Sequence, residues 1–271
     1  MPPDGVLFCG HGSRRESATD GFKVLVEAAV RQLPEYAVTH GFLELAAPAI
    51  PDALETLRAR GIRRIVVVPC MLAGGAHMRR DIPALIKAFG RRHPEIAVTG
   101  TPMIGAHPAL HDAACAHIRE ALDVTGFGEP GPGASLIVVG RGTADAAVNE
   151  AVGLTAQALR DALGFEASAS AFVNRAGPAV EDQITRAAQA GLRRVAILPW
   201  LLSDGALVAR TRMSVASRIR RHPALRIALA APVGLSPRLP DILAAQARAA
   251  ATVRWPGLYE RCGADRSSNC E

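Results

Sequence analysis

The feature that most constrains this chain is a repeat. Gly10-His11-Gly12-Ser13 returns 130 residues later as Gly140-Arg141-Gly142-Thr143. Pro48 and Pro178, Pro69 and Pro199, and Gly75 and Gly205 keep the same spacing. Arg92-His93-Pro94 recurs as Arg221-His222-Pro223, one residue out of step. Landmarks held at one spacing point to a duplication, so the 271 residues divide into two homologous domains, each long enough to bury a core.

Each half alternates two patterns. In the first, short apolar runs at 6–9, 37–42, 65–69 and 96–100 read as strands. Apolar residues at helical spacing predict helices over about 17–33, 49–60, 77–89 and 108–122. Strands alternating with helices of this length predict an α/β fold, each half a parallel sheet flanked by helices. Residues 125–134, rich in Gly and Pro, read as a linker. The expected divisions are 1–124 for an N-terminal domain carrying the chemistry, 135–251 for a repeat without it, and 252–271 for a disordered tail.

Composition excludes several function classes. With 49% hydrophobic and 21% charged residues, the chain reads as an ordinary globular protein. Aromatic residues are only 4%, which argues against a base-stacking nucleic-acid surface. The net charge of +6 rests mostly on arginine, the residue suited to planar recognition of carboxylates and phosphates. The longest uncharged apolar stretch, 65–76, is broken by Pro69 and two glycines and is too short for a membrane span of about 20 residues. The first residues lack the pattern of a signal peptide, and five cysteines form no paired framework. The expectation is therefore a cytoplasmic location with neither membrane nor nucleic-acid partners.

The repeat also acts as an internal control. Residues needed for packing should persist in both halves, whereas residues needed for chemistry can survive in one. His11 is matched by Arg141, Glu44 by Asn174 and His77 by Leu207, while the glycines and prolines around them persist. His11 follows the first strand, Glu44 the second and His77 the third, so all three belong to loops at the carboxyl edge of a parallel sheet, where such folds bind ligands. Two imidazoles and a carboxylate suit a divalent metal with open coordination positions. Around them, Ser13, Arg14 and Arg15 on one loop and Arg79 and Arg80 on another suit a polycarboxylate or phosphate. Gly74 and Gly75 open a helix whose free amides can receive an anion.

Gly10-His11-Gly12-Ser13-Arg14, Phe42-Leu43-Glu44-Leu45-Ala46-Ala47-Pro48, Ile65-Val66-Val67-Val68-Pro69 and Gly74-Gly75-Ala76-His77-Met78-Arg79-Arg80-Asp81-Ile82-Pro83 resemble the sirohydrochlorin chelatase family, the class II tetrapyrrole chelatases. The likeness runs through both halves and so resembles the long, two-domain form. It implies two chelatase domains facing each other across a cleft. It places metal ligands at His11 and His77, with an acidic partner at Glu44. The implied reaction is a lyase reaction, ATP-independent insertion of Co2+ into sirohydrochlorin in cobalamin biosynthesis, with Fe2+ or Ni2+ as other metals and release of two protons. No nucleotide-binding loop is visible and no organic cofactor is implied. His11, His77 or Glu44 each has the chemistry to accept a pyrrole proton. The arginines, Arg141 among them, would meet the carboxylates of the tetrapyrrole. A ferrochelatase of sirohaem synthesis and a non-catalytic tetrapyrrole or metal carrier are the rival readings. A monomer or weak homodimer is expected, since the fused halves reduce the need for dimerisation.

Other features read as structural. His107 and His111 lie four apart with Pro108 between them and no obvious third ligand. His93 and His222 precede proline at matching positions and read as helix-terminal residues. Cys9 and Cys70 end buried strands and read as inert thiols. Cys262 and Cys270 are too few for a four-thiolate cluster.

Overall fold

Gly5–Gly10 forms the first strand (β1), and every residue in it is buried. A run apolar without alternation suits a parallel strand covered on both faces. The computed structural model describes residues 4–14, 16–174 and 177–252, with the side chains of residues 17, 18 and 76–78 outside that description. Arg15, Cys262, Cys270 and the remainder of the expected tail beyond residue 252 therefore lie outside the described residues.

After β1 come α1 (Glu16–Val30), β2 (Ala37–Phe42), α2 (Ile50–Ala59), β3 (Arg64–Pro69), α3 (Ala76–Arg92), β4 (Ala97–Gly100) and α4 (Pro108–Val124). The second repeat follows with β5 (Ala134–Gly140), α5 (Ala146–Leu163), β6 (Ala167–Phe172), α6 (Val180–Gln189), β7 (Arg194–Pro199), α7 (Ala206–Arg221), β8 (Arg226–Leu229) and α8 (Leu239–Thr252). The strands form two four-stranded parallel sheets, ordered β2-β1-β3-β4 and β6-β5-β7-β8. The α/β class and the parallel sheets agree with the sequence reading. The predicted helix 77–89 runs longer, to Arg92, and tolerates Pro83 within it.

Burial follows the periodicities. On α2, Ile50, Ala53, Leu54 and Leu57 are buried, a stripe at i, i+3, i+4 and i+7. They pack with Leu7, Cys9, Ile65 and Val67 of the strands and Ile82, Ile86 and Phe89 of α3. Val6, Phe8, Val66 and Val68 alternate with these and point to the opposite face, which α1 and α8 cover. Each fully buried Leu or Ile stabilises the fold by about 1.5–3 kcal/mol. A matching core, with Ile137, Val139, Val180, Ile184, Val195, Ile197 and Val215, lies on the second sheet.

The compact units are cut differently from the expected halves 1–124 and 135–251. One unit takes the chain up to Ala106 together with the stretch from Leu239, and the other takes His107–Arg238. The last helix of each repeat has changed places: α8 packs against α1 and β3, and α4 packs against β7, β8 and α5. On α8 the buried side chains include Leu239, Ile242, Leu243, Gln246, Ala247 and Ala250, again at helical spacing. Arg64 donates to the carbonyl of Ala251 at 2.8 Å, and Arg248 donates to Glu35 at 2.7 Å, fastening the helix to the first unit. Among the described residues no helix is long and apolar enough to cross a membrane.

Candidate metal and anion site

The site grows from the carboxyl ends of β1, β2 and β3. Register pairs Gly10 with Phe42 and Cys9 with Pro69, so the following residues leave the sheet at one level. The ladder continues past the strands: Leu43 donates to the carbonyl of Gly10 at 3.0 Å and Glu44 to that of His11 at 3.0 Å. Gly12 has φ +93°, and a Cβ there would sit 1.7 Å from the carbonyl oxygen of Glu44. Only glycine lets the two loops lie this close.

This frame sets Glu44 Oε1 3.4 Å from His11 Nε2, with both side chains partly open to solvent. The residue after Glu44, Leu45, takes φ +62°, a left-handed conformation rare for a non-glycine residue, and its side chain is exposed. Strain of this kind collects at binding sites. Sequence reasoning missed Leu45 as part of the site, because nothing in its residue type signals a left-handed backbone.

The loop after β3 leads to Gly75, which opens α3 in an extended conformation without a side-chain cap. Gly74 is buried, and its carbonyl accepts a hydrogen bond from Nε of Arg79 at 2.9 Å. Arg79 thus reaches back from the first turn and closes the loop from which its helix starts. His77 is the second residue of α3; its side chain lies outside the described residues. Arg14 and Arg80 are exposed and Ser13 is half-buried. Of the expected ligands, the structure brings His11 and Glu44 together. Among the described residues no set of three His, Cys, Asp or Glu side chains gathers as a metal cluster.

Thiolate ligation is disfavoured in this unit. Burial pushes the thiols of Cys9 and Cys70 well up, so neither offers the thiolate a metal would need. The available donors are imidazole nitrogen and carboxylate oxygen, a set for borderline divalent ions.

The second unit repeats the frame with different chemistry. Val173 donates to Gly140 at 3.1 Å and Asn174 to Arg141 at 2.9 Å, and Gly142 has φ +82°. Here β5 is followed by the exposed Arg141, and Asn174 stands where the first unit has Glu44. Arg210 donates to the carbonyl of Val173 at 2.9 Å and to Asn174 Oδ1 at 3.5 Å. A polar groove lined by Asn174, Arg210, Glu181 and Ser214 opens beside this loop. The same backbone carries cationic and amide side chains in place of the imidazole and carboxylate.

The demoted residues take structural places. His107 caps α4 by accepting from the amide of Ala109 at 3.2 Å, and His111 stands edge-on to Trp200 with ring centroids 5.7 Å apart. His93 ends α3 and meets Glu55 at 2.8 Å.

The CbiX family model matches residues 5–121 and again 135–250, once for each repeat. The chain is 27% identical over 252 residues to a sirohydrochlorin cobaltochelatase of Priestia megaterium, covering 88% of this chain and 77% of that one. It is 28% identical over 205 residues to a sirohydrochlorin ferrochelatase of the same organism, covering 76% and 75%. Among solved structures, SirB from Bacillus subtilis with Fe3+ superposes with a TM-score of 0.76 at 24% identity, covering 90% of this chain and 94% of that one. A duplicated α/β frame matched twice by one family model leaves a single assignment: the chain belongs to the CbiX family of sirohydrochlorin chelatases, in its long form with two repeats.

Proposed function

We propose that this protein is a sirohydrochlorin cobaltochelatase, inserting Co2+ into sirohydrochlorin without ATP for cobalamin biosynthesis. The observation that carries the reading is the matched pair of frames. One backbone arrangement presents His11 and Glu44 in the first unit and Arg141 and Asn174 in the second. Retention of the frame with exchange of the donors separates scaffold from chemistry. In this reading His11 and His77 take the incoming ion as neutral imidazoles, with Glu44 as third donor. An incomplete protein ligand set leaves the ion positions to exchange for pyrrole nitrogens. As the ion enters, two pyrrole protons leave; a carboxylate or imidazole beside the ring is suited to receive them. Arg14, Arg79, Arg80 and Arg141, with Ser13 and the amides at Gly74 and Gly75, hold the acidic side arms of the tetrapyrrole. The protein works in the cytoplasm as a monomer or weak homodimer.

Iron is the second reading, supported by the 28% identity to a ferrochelatase beside the 27% identity to a cobaltochelatase. Ligand softness does not separate Co2+ from Fe2+ at a His and Glu site. The test is anaerobic insertion followed by the change in sirohydrochlorin absorbance with Co2+, Fe2+ and Ni2+ in turn. Faster turnover with Co2+ supports the cobalt assignment, and faster turnover with Fe2+ replaces it by the ferrochelatase. Binding of the tetrapyrrole without the metallated spectrum for any ion would make the protein a carrier.

A further inference from the structure

Gln246 is a buried polar residue on α8, with 8% of its surface exposed. Its side-chain amide donates to the carbonyl of Pro102 at 2.6 Å, and its own Oε1 has no partner among the described residues. Leaving a buried acceptor unpaired is costly, so an apolar side chain of the same length would pack here with less penalty. Something must be gained by placing a donor at this point.

The segment it grips explains the gain. Pro102 lies just before Gly105, where a Cβ would sit 1.6 Å from the carbonyl oxygen of Leu72. Leu72 belongs to the loop running from β3 to Gly75, which opens α3 and leads directly to His77. A contiguous path therefore runs from Gln246 through Pro102 and Gly105 to Leu72 and the start of α3. The second unit repeats it. His117 on α4, also 8% exposed, meets the carbonyl of Ala231 at 3.2 Å. Gly234 lies against the carbonyl of Leu202 in the loop before Gly205, where its Cβ would come within 2.1 Å. Because a carbonyl only accepts, His117 Nδ1 carries the proton there.

We infer that Gln246, supplied by the last helix of the second repeat, is a positioning residue for the loop that delivers His77. This rests on the proposed reading in which His77 is a metal ligand. Both units keep the clasp, but only in the first does the clasped loop lead to a metal donor.

The test compares full-length variants. Gln246→Met removes the donor at constant length, Gln246→His restores a donor of the type used at 117, and His117→Met breaks the twin clasp. Co2+ affinity is measured by titration calorimetry, and amide hydrogen exchange is followed over 71–79 and 201–209. Gln246→Met should weaken Co2+ binding about tenfold, the scale on which residues supporting metal ligands act. It should also speed exchange over 71–79. Gln246→His should restore both properties. His117→Met should speed exchange over 201–209 and leave Co2+ affinity at the wild-type value. Wild-type Co2+ affinity together with wild-type exchange over 71–79 in Gln246→Met would overturn the inference. So would equal loss of affinity in His117→Met. Faster exchange over 71–79 with unchanged Co2+ affinity would keep the clasp, and would instead remove His77 from the ligand set.

Discussion

Glu44 is tied to His11 twice, by its amide to the histidine carbonyl at 3.0 Å and by its carboxylate to the imidazole at 3.4 Å. The backbone tie recurs in the second unit between Asn174 and Arg141, whereas the imidazole–carboxylate contact belongs to the first. The two bonds can therefore be separated by mutation. Glu44→Gln leaves the backbone tie and removes the charge, and it should lower insertion by about 10²–10⁴-fold if the carboxylate receives a pyrrole proton. His11→Ala and His77→Ala should each abolish insertion while circular dichroism and thermal unfolding stay near wild type. Wild-type rates in either histidine variant would remove that residue from the site.

Gly12 tests the frame itself. A methyl group at this position collides with the carbonyl of Glu44 and must also accept φ +93°. Strain of that kind costs about 1–3 kcal/mol, and relief would push the His11 and Glu44 loops apart. Gly12→Ala should therefore lower both thermal stability and Co2+ affinity. Gly21, within α1 and with open space around it, is the contrast. Gly21→Ala should raise stability by about 0.5–1 kcal/mol and leave metal binding unchanged. Equal behaviour of the two variants in calorimetry would show that the close approach at Gly12 does not shape the site.

Much of this organisation is legible in the residues. The buried run of β1, the stripe on α2 and the spacing from Gly10 to Gly140 each follow from elementary periodicities. His11 and Glu44 can be placed at one edge because each follows a strand of a parallel sheet. The exchange of α4 and α8 is not legible. Both helices carry an apolar stripe, and both sheets offer an equivalent face, so a duplicated sequence does not say which copy covers which. Arg79 shows a second limit: its spacing suits an anion ligand, but its Nε is committed to the carbonyl of Gly74. Only the remaining guanidinium nitrogens are left for substrate. The left-handed backbone at Leu45 is set by loop packing, which residue type does not encode.

A pH dependence follows from His40 on the edge strand β2. Its ring sits edge-on to Phe22 and Phe42, with centroids 6.2 and 5.6 Å away. Burial first, and the charge of Lys23 second, hold its pKa below the ordinary histidine range, against a smaller opposing pull from Glu27. The folded state thus prefers the neutral ring more than the unfolded chain does. The stability attached to it is present above about pH 6.5 and is lost as pH falls through the folded value. His40→Leu should flatten the fall of melting temperature between about pH 7 and pH 5. An unchanged acid slope would place the sensitivity in another group, though not in the carboxylates of Glu35 and Glu55, which titrate below this pH range. Both are held low by arginine partners, Arg248 and Arg58 respectively.

The exchanged helix makes a prediction about which unit fails when it is damaged. Leu243 lies on α8 and is fully buried, although by sequence it belongs to the second repeat. Leu243→Ala removes buried carbon and leaves a void, at a cost of about 2–5 kcal/mol. Since α8 packs on β3 and α1, hydrogen exchange should speed in β1 and β3 and leave β5 and β7 protected. Co2+ affinity should fall with it near the unfolding transition, because the proposed ligand His11 follows β1 and the loop leading to His77 follows β3. If each repeat instead kept its own last helix in solution, the same variant would open β5 and β7 first. The order of exchange therefore distinguishes the two ways of assembling one duplicated sequence.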